Sequence, residues 1–205
     1  MESVIQRQSG YEPPYDSPLE EQFAYSLPKY IEEQAKFYKQ YEVETVRGTF
    51  KLDFLVDSPK GKFGFECDGK DFHEFHRDMF RDALILGSSD IISVHRITGA
   101  DIHNRLEDAL FAISKIEPDA FSERGHKNLW ALSTSRSDLE VTDITDGAIA
   151  SDYTRLLSMT IGRLSKRSKD LLWKRLFEFA VANRYLTTEE LIQKAHQERI
   201  LWHPG

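Results

Sequence analysis

Asp53, Glu66 and Asp68 stand on either side of a turn signal, at a spacing that gathers carboxylates. The turn is Ser58-Pro59-Lys60-Gly61, with Ser, Pro and Gly at the positions a type I turn prefers. On either side, residues 49–56 and 63–67 alternate as strands do. A hairpin closing symmetrically on Pro59 and Lys60 sets Asp53 opposite Glu66 and Lys51 opposite Asp68. The period of two puts these four on one face and Phe54, Phe65 and Cys67 on the other, with Phe50, Leu52 and Val56 sharing the face of Phe54.

Like charges directly opposed across a strand pair destabilise it. Two carboxylates in a half-buried position repel until a proton, a lysine or a divalent cation neutralises them. Mg²⁺ takes one or two carboxylates and keeps water or a phosphate oxygen as its other ligands, so Asp53, Glu66 and Asp68 would form such a shell. The plain alternative is a solvated face on which Lys51 and Lys70 neutralise the acids as surface pairs.

The elements that must hold these residues are legible. Ser17-Pro18-Leu19-Glu20 is a helix start, with a hydroxyl cap, a proline in the first turn and a glutamate three residues after the cap. The spacing of Phe75, Met79, Ala83 and Leu86 predicts a helix ending at Gly87. Residues 91–97 read as a buried strand and 101–116 as a further helix. A helix between two strands implies a right-handed crossover, hence a mixed central sheet flanked by helices and an α/β fold. Residues 1–16 read as an extended arm, 17–120 as the core, 121–150 as a linker with room for a short element, and 151–205 as a helical C-terminal extension. Helices are expected there over 151–164, over 170–183 and from Thr187 or Thr188.

The segment Phe65-Glu66-Cys67-Asp68-Gly69-Lys70-Asp71-Phe72-His73 carries a pattern beyond the paired acids. With Glu20 on a first helix, Asp53 before a hairpin, Glu-x-Asp-Gly followed by His73, and the Asp78-to-Asp82 run leading to a strand near Arg96, residues 17–116 resemble the PD-(D/E)XK nuclease superfamily. Within it they resemble most the branch of very-short-patch repair endonucleases. The resemblance implies a restriction-endonuclease-like core and Mg²⁺-dependent (or Mn²⁺-dependent) hydrolysis of a phosphodiester, in DNA first, with RNA left open. It implies Asp53, Glu66, Asp68 and Glu20 as the metal shell, and Lys70 or His73 orienting or deprotonating the attacking water. In the superfamily a lysine follows the second acid by two positions. Asp68 stands there if that acid is Glu66, and Lys70 if it is Asp68.

Other groups have competing readings. Glu20 also suits the acceptor half of a capping box. Cys67, His73 and His76 suggest a zinc set, for which no fourth ligand lies nearby except His95, and Cys67 suits a core position. Asp78 and Arg81 lie one helical turn apart as an ion pair, or Arg81 approaches a phosphate. The run Arg163, Lys166, Arg167, Lys169, Lys174, Arg175 is either a solvated helix face or a nucleic-acid contact, of which Lys166, Arg167 and Lys169 are the centre.

Composition bounds the function classes. The 205 residues carry 27 basic and 34 acidic side chains, a formal charge of -7. Residues 1–125 hold 15 basic and 24 acidic ones, residues 126–205 hold 12 and 10, so the acid lies with the paired carboxylates. With a mean hydropathy of -0.50 and no long apolar run, no membrane association is expected. The lone cysteine and the absence of a secretory signal point to the cytoplasm. Neither a nucleotide-binding glycine loop nor a Gly-x-Ser-x-Gly elbow occurs. The second reading of the whole chain is a nuclease-like module that binds nucleic acid or a protein without cleaving, and residues 126–205 are a candidate regulatory or oligomerisation unit.

Overall fold

The computed structural model describes residues 13–69, 75–134 and 172–201. Helix α1 (Pro18–Ser26) starts as expected, with the Ser17 hydroxyl accepting from the Glu20 N–H. It leads through a 3₁₀ turn to β1 (Lys36–Thr45), β2 (Gly48–Ser58) and β3 (Gly61–Asp68). Gly48 takes a φ of 110° at the β1–β2 turn, a conformation open to glycine. Helix α2 (Phe75–Ser88) crosses to β4 (Ile91–Thr98), which continues into α3 (Gly99–Ile116) and α4 (Glu123–Leu132). Two further helices follow, α5 (Leu172–Ala182) and α6 (Thr188–Gln197), the latter starting with a capping box between Thr187 and Glu190.

The sheet has the order β1-β2-β3-β4, antiparallel except for the parallel pair β3 and β4. The chain is therefore a mixed α/β fold with helices on both faces. Phe23, Phe54, Val56, Phe65, Leu110 and Leu129 represent one core, beneath α1, α3 and α4. Leu52, Leu55, Phe80, Val94, Leu176 and Leu191 represent the other, beneath α2, α5 and α6. Among the described residues no helix is long and apolar enough to cross a membrane.

The hairpin register is the one the turn dictates: Phe54 pairs with Phe65, Val56 with Phe63 and Ser58 with Gly61. The single apolar face expected of β2 is not found. Phe54 and Val56 enter the α1 side, while Phe50 and Leu52 pack on the α2 side with Leu55. The phase changes at Asp53, where the β1–β2 ladder steps from Lys39↔Phe54 to Tyr41↔Leu52 and Gln40 adopts a φ of 48°. A left-handed residue rotates the strand about its axis, so both strands exchange faces while their register is kept.

The segment 121–150 is not linker throughout, because α4 occupies its start, capped by the Ser122 hydroxyl on the Gly125 N–H. A Cβ on Gly125 would lie 1.9 Å from the Tyr30 carbonyl oxygen. Gly125→Ala is expected to lower stability by about 1–3 kcal/mol, since the backbone clash outweighs the ~1 kcal/mol of helix propensity gained. A urea unfolding midpoint equal to wild type would contradict this packing. The expected helix over 151–164 lies outside the described residues.

Candidate functional site

The backbone ladder between β2 and β3 ends at Phe54 and Phe65, and the predicted acids begin there. Where the next pair would form, the Cys67 N–H donates to the Asp53 carboxylate at 2.7 Å. The strand therefore orients Asp53 with a main-chain donor, at the point where β2 turns its side chains over.

Glu66 is the next residue of β3 after Phe65 and is only 4% exposed. Arg81 of α2 donates to its Oε1 at 2.8 Å, and to the Lys51 carbonyl. Burial is the main influence on the Glu66 carboxyl; Arg81 lowers its pKa, Asp53 raises it, and the net result is about 8. For Asp53, burial again leads, the Cys67 N–H opposes it, Glu20 and Asp68 add repulsion, and the carboxyl titrates at about 6. Both values lie above the ordinary carboxylate range. Burial beside other carboxylates likewise pushes the Cys67 thiol up.

Asp68, at the end of β3, turns toward Arg96 of β4, whose Nη1 donates to its Oδ1 at 3.1 Å. Arg96 is 4% exposed and also binds the fully buried Asp82 of α2 through two hydrogen bonds, of 2.9 and 2.7 Å. Burial disfavours the charge on Arg96, but Asp82, with Glu66 and Asp68, more than offsets it and holds the guanidinium above its ordinary pKa. The Asp82 carboxyl is raised, by burial first. Asp78 lies 3.8 Å from Arg96, and Arg81 is engaged by Glu66.

Glu20 is buried and points toward the same region, and its charge is felt at Asp53. Its Oε1 accepts from the Ser17 hydroxyl at 3.0 Å and its Oε2 from the Gln40 amide at 3.1 Å. The capping arrangement thus runs through the Ser17 hydroxyl, and the left-handed turn at Gln40 brings its amide to α1.

The four acids are not gathered into one cage. Among the described residues, no three of His, Cys, Asp and Glu are placed to hold one ion. Asp53 and Glu66 nonetheless fit a hard cation, as two oxygen donors whose pKa values are raised first of all by burial. The zinc reading disperses. His76 meets His196 of α6 edge to face, with ring centroids 4.6 Å apart. His95 is buried with its Nε2 3.0 Å from the Ser93 hydroxyl and 3.5 Å from Glu117.

Lys70, His73, Arg163, Lys166, Arg167 and Lys169 lie outside the described residues. The remaining members of the basic run, Lys174 and Arg175, are exposed on α5, whose Leu176, Phe179 and Ala180 face the core. Sequence reasoning missed the Arg96–Asp82 pair. The signal was available, because a charged residue inside the apolar run 91–97 needs a buried partner. The Gln40 contact had no signal, since its conformation comes from the strand pairing. The chain matches no protein-family model, no curated protein and no solved structure.

Proposed function

We propose that this protein is a metal-dependent endonuclease with a restriction-endonuclease-like core, hydrolysing phosphodiester bonds, most readily in DNA, with Mg²⁺ or Mn²⁺. The observation that carries the reading is the placement of Asp53 and Glu66 directly beyond Phe54 and Phe65, the last paired residues of β2 and β3, where burial raises both carboxyls above the carboxylate range and Asp53 adds repulsion at Glu66. Such a pair at the open end of a sheet is costly for structure alone and suits a cation site.

Asp53 and Glu66 are the residues that would hold the ion. When bound, it would polarise a phosphoryl oxygen and lower the pKa of a water molecule. The protein's own groups do the positioning. The Cys67 N–H orients Asp53, and Arg96, anchored by Asp82, holds Asp68. Lys70, two residues beyond Asp68, and His73 supply the groups that orient the water and accept its proton in this reading. The acidic core makes nucleic-acid binding salt-sensitive, with Lys166, Arg167 and Lys169 as the phosphate-facing groups.

The test is nicking of supercoiled plasmid by the full chain in Mg²⁺ and in chelator, beside Glu66→Gln. Mg²⁺-dependent nicking that Glu66→Gln loses is expected; nicking indifferent to both treatments would sink the assignment. The second reading, a module that binds without cleaving, draws on the Arg81 guanidinium already engaging Glu66. Metal-independent DNA retention without nicking would favour it.

Protons and the cation compete for the same oxygens. Because the two carboxyls titrate at about 6 and about 8, metal affinity is expected to rise with pH across that span. Below about 8 each unit of acidification costs roughly tenfold while Glu66 must be deprotonated, and the loss steepens below about 6, when Asp53 joins it. Mn²⁺ titrations at a series of pH values check this, and an affinity independent of pH would contradict it.

A further inference from the structure

Past Phe54 and Phe65, two side chains lace the gap that the backbone ladder leaves open. One is Asp53 on the Cys67 N–H; the other is Arg81, which joins the Lys51 carbonyl of β2 to Glu66 of β3. Arg81 enters from α2 with its side chain 22% exposed, whereas the Glu66 side chain is 5% exposed. The guanidinium is therefore the more exposed member of the pair, lying against Oε1 of the buried carboxylate.

We propose that Arg81 is the resident counter-ion of the carboxylate pair, and that a divalent cation enters by exchange, with Glu66 passing from Arg81 to the ion. This rests on the reading of Asp53 and Glu66 as a cation site. A guanidinium does not lose its proton in a protein, so it cannot make way for a second cation by becoming neutral. It must move, or repel the incoming ion across a few ångströms of partly desolvated space.

The two arginines of the site differ in whether they can move. Arg96 is buried and tied to Asp82 by two hydrogen bonds, so it stays with the fold. Arg81 is tied, apart from Glu66, to the Lys51 carbonyl of β2, and its side chain reaches solvent. Arg81 is thus a determinant of which cation the site accepts and how tightly, with Arg96 as the permanent scaffold.

Calorimetric titration of the full-length wild type, Arg81→Gln and Arg81→Lys with Mn²⁺, in buffer above the carboxylate range, tests the exchange. Arg81→Gln keeps a donor for the Lys51 carbonyl but removes the charge, and is expected to bind Mn²⁺ at least about tenfold more tightly. Arg81→Lys is expected to stay within a few-fold of wild type. Equal or weaker binding by Arg81→Gln overturns the proposal.

Should Arg81→Gln fail to fold, the wild type supplies the second measurement. During a Mg²⁺ titration followed by NMR, the Arg81 Nε–H resonance is expected to shift in step with the Glu66 carboxyl carbon. An Arg81 signal that stays still while Glu66 responds overturns the exchange. Equal affinities remove only the role given to Arg81. No heat and no shift in any of the proteins removes the cation site itself.

Discussion

Asp53→Asn is expected to yield a folded protein whose Mg²⁺-dependent plasmid nicking is lower by about a thousandfold or more. The substitution is nearly isosteric, and its amide oxygen can still accept from the Cys67 N–H that now meets the carboxylate at 2.7 Å. What it removes is a negative charge in a desolvated position, one of the two that a cation would need. Loss of several kcal/mol of transition-state stabilisation corresponds to that factor. The circular dichroism spectrum and unfolding midpoint of the variant should match wild type, or exceed it, because a carboxyl raised to about 6 by burial is a group the fold tolerates at a cost. Nicking at the wild-type rate would remove Asp53 from the chemistry and leave the convergence of acids without a catalytic meaning.

The second large effect concerns stability. Arg96→Met leaves Asp82, which is fully buried, without the guanidinium that binds both its oxygens. Breaking a buried pair from one side costs about 3–5 kcal/mol, far more than loss of an exposed pair. The double variant Arg96→Met with Asp82→Leu should recover much of that loss, because it removes the uncompensated charge together with its partner. Recovery of stability should not restore nicking, since Asp68 loses the guanidinium that holds it. Urea unfolding of the three proteins decides the matter: a single variant within about 1 kcal/mol of wild type would show that Asp82 finds another partner or takes up a proton.

Much of this architecture is legible in the residues. The Ser58-Pro59-Lys60-Gly61 turn sets the register in which Phe54 faces Phe65, because a short turn leaves no freedom to slip. The helix starts at Ser17 and Thr187 follow from local capping chemistry, and the parallel pairing of β3 with β4 follows from the crossover helix between them. These are short-range effects that act within one element or one connection.

Other features depend on contacts that no local pattern carries. The side-chain phase of β2 reverses at Asp53 because Gln40, on the neighbouring strand, takes a left-handed φ and reaches Glu20 on α1. Simple alternation therefore misplaces Phe50 and Leu52. Helix α4 is hidden within a polar segment, since its burial rests on Leu129 and on the close passage of Gly125 over Tyr30. Arg81 is indistinguishable in sequence from a surface partner of Asp78, and its contact with Glu66 exists because α2 packs across the sheet.

By itself, the sequence determined that Asp53 and Glu66 would follow directly on the paired residues Phe54 and Phe65 of neighbouring strands, because the hairpin register is a property of the backbone. Only the tertiary structure decided how each charge is met: Asp53 by a main-chain N–H, Glu66 by Arg81, and Asp68 by an Arg96 that Asp82 anchors. The physical reason is that desolvation and ion pairing depend on which helices cover the sheet, and those partners lie 14, 15, 28 and 14 residues away along the chain.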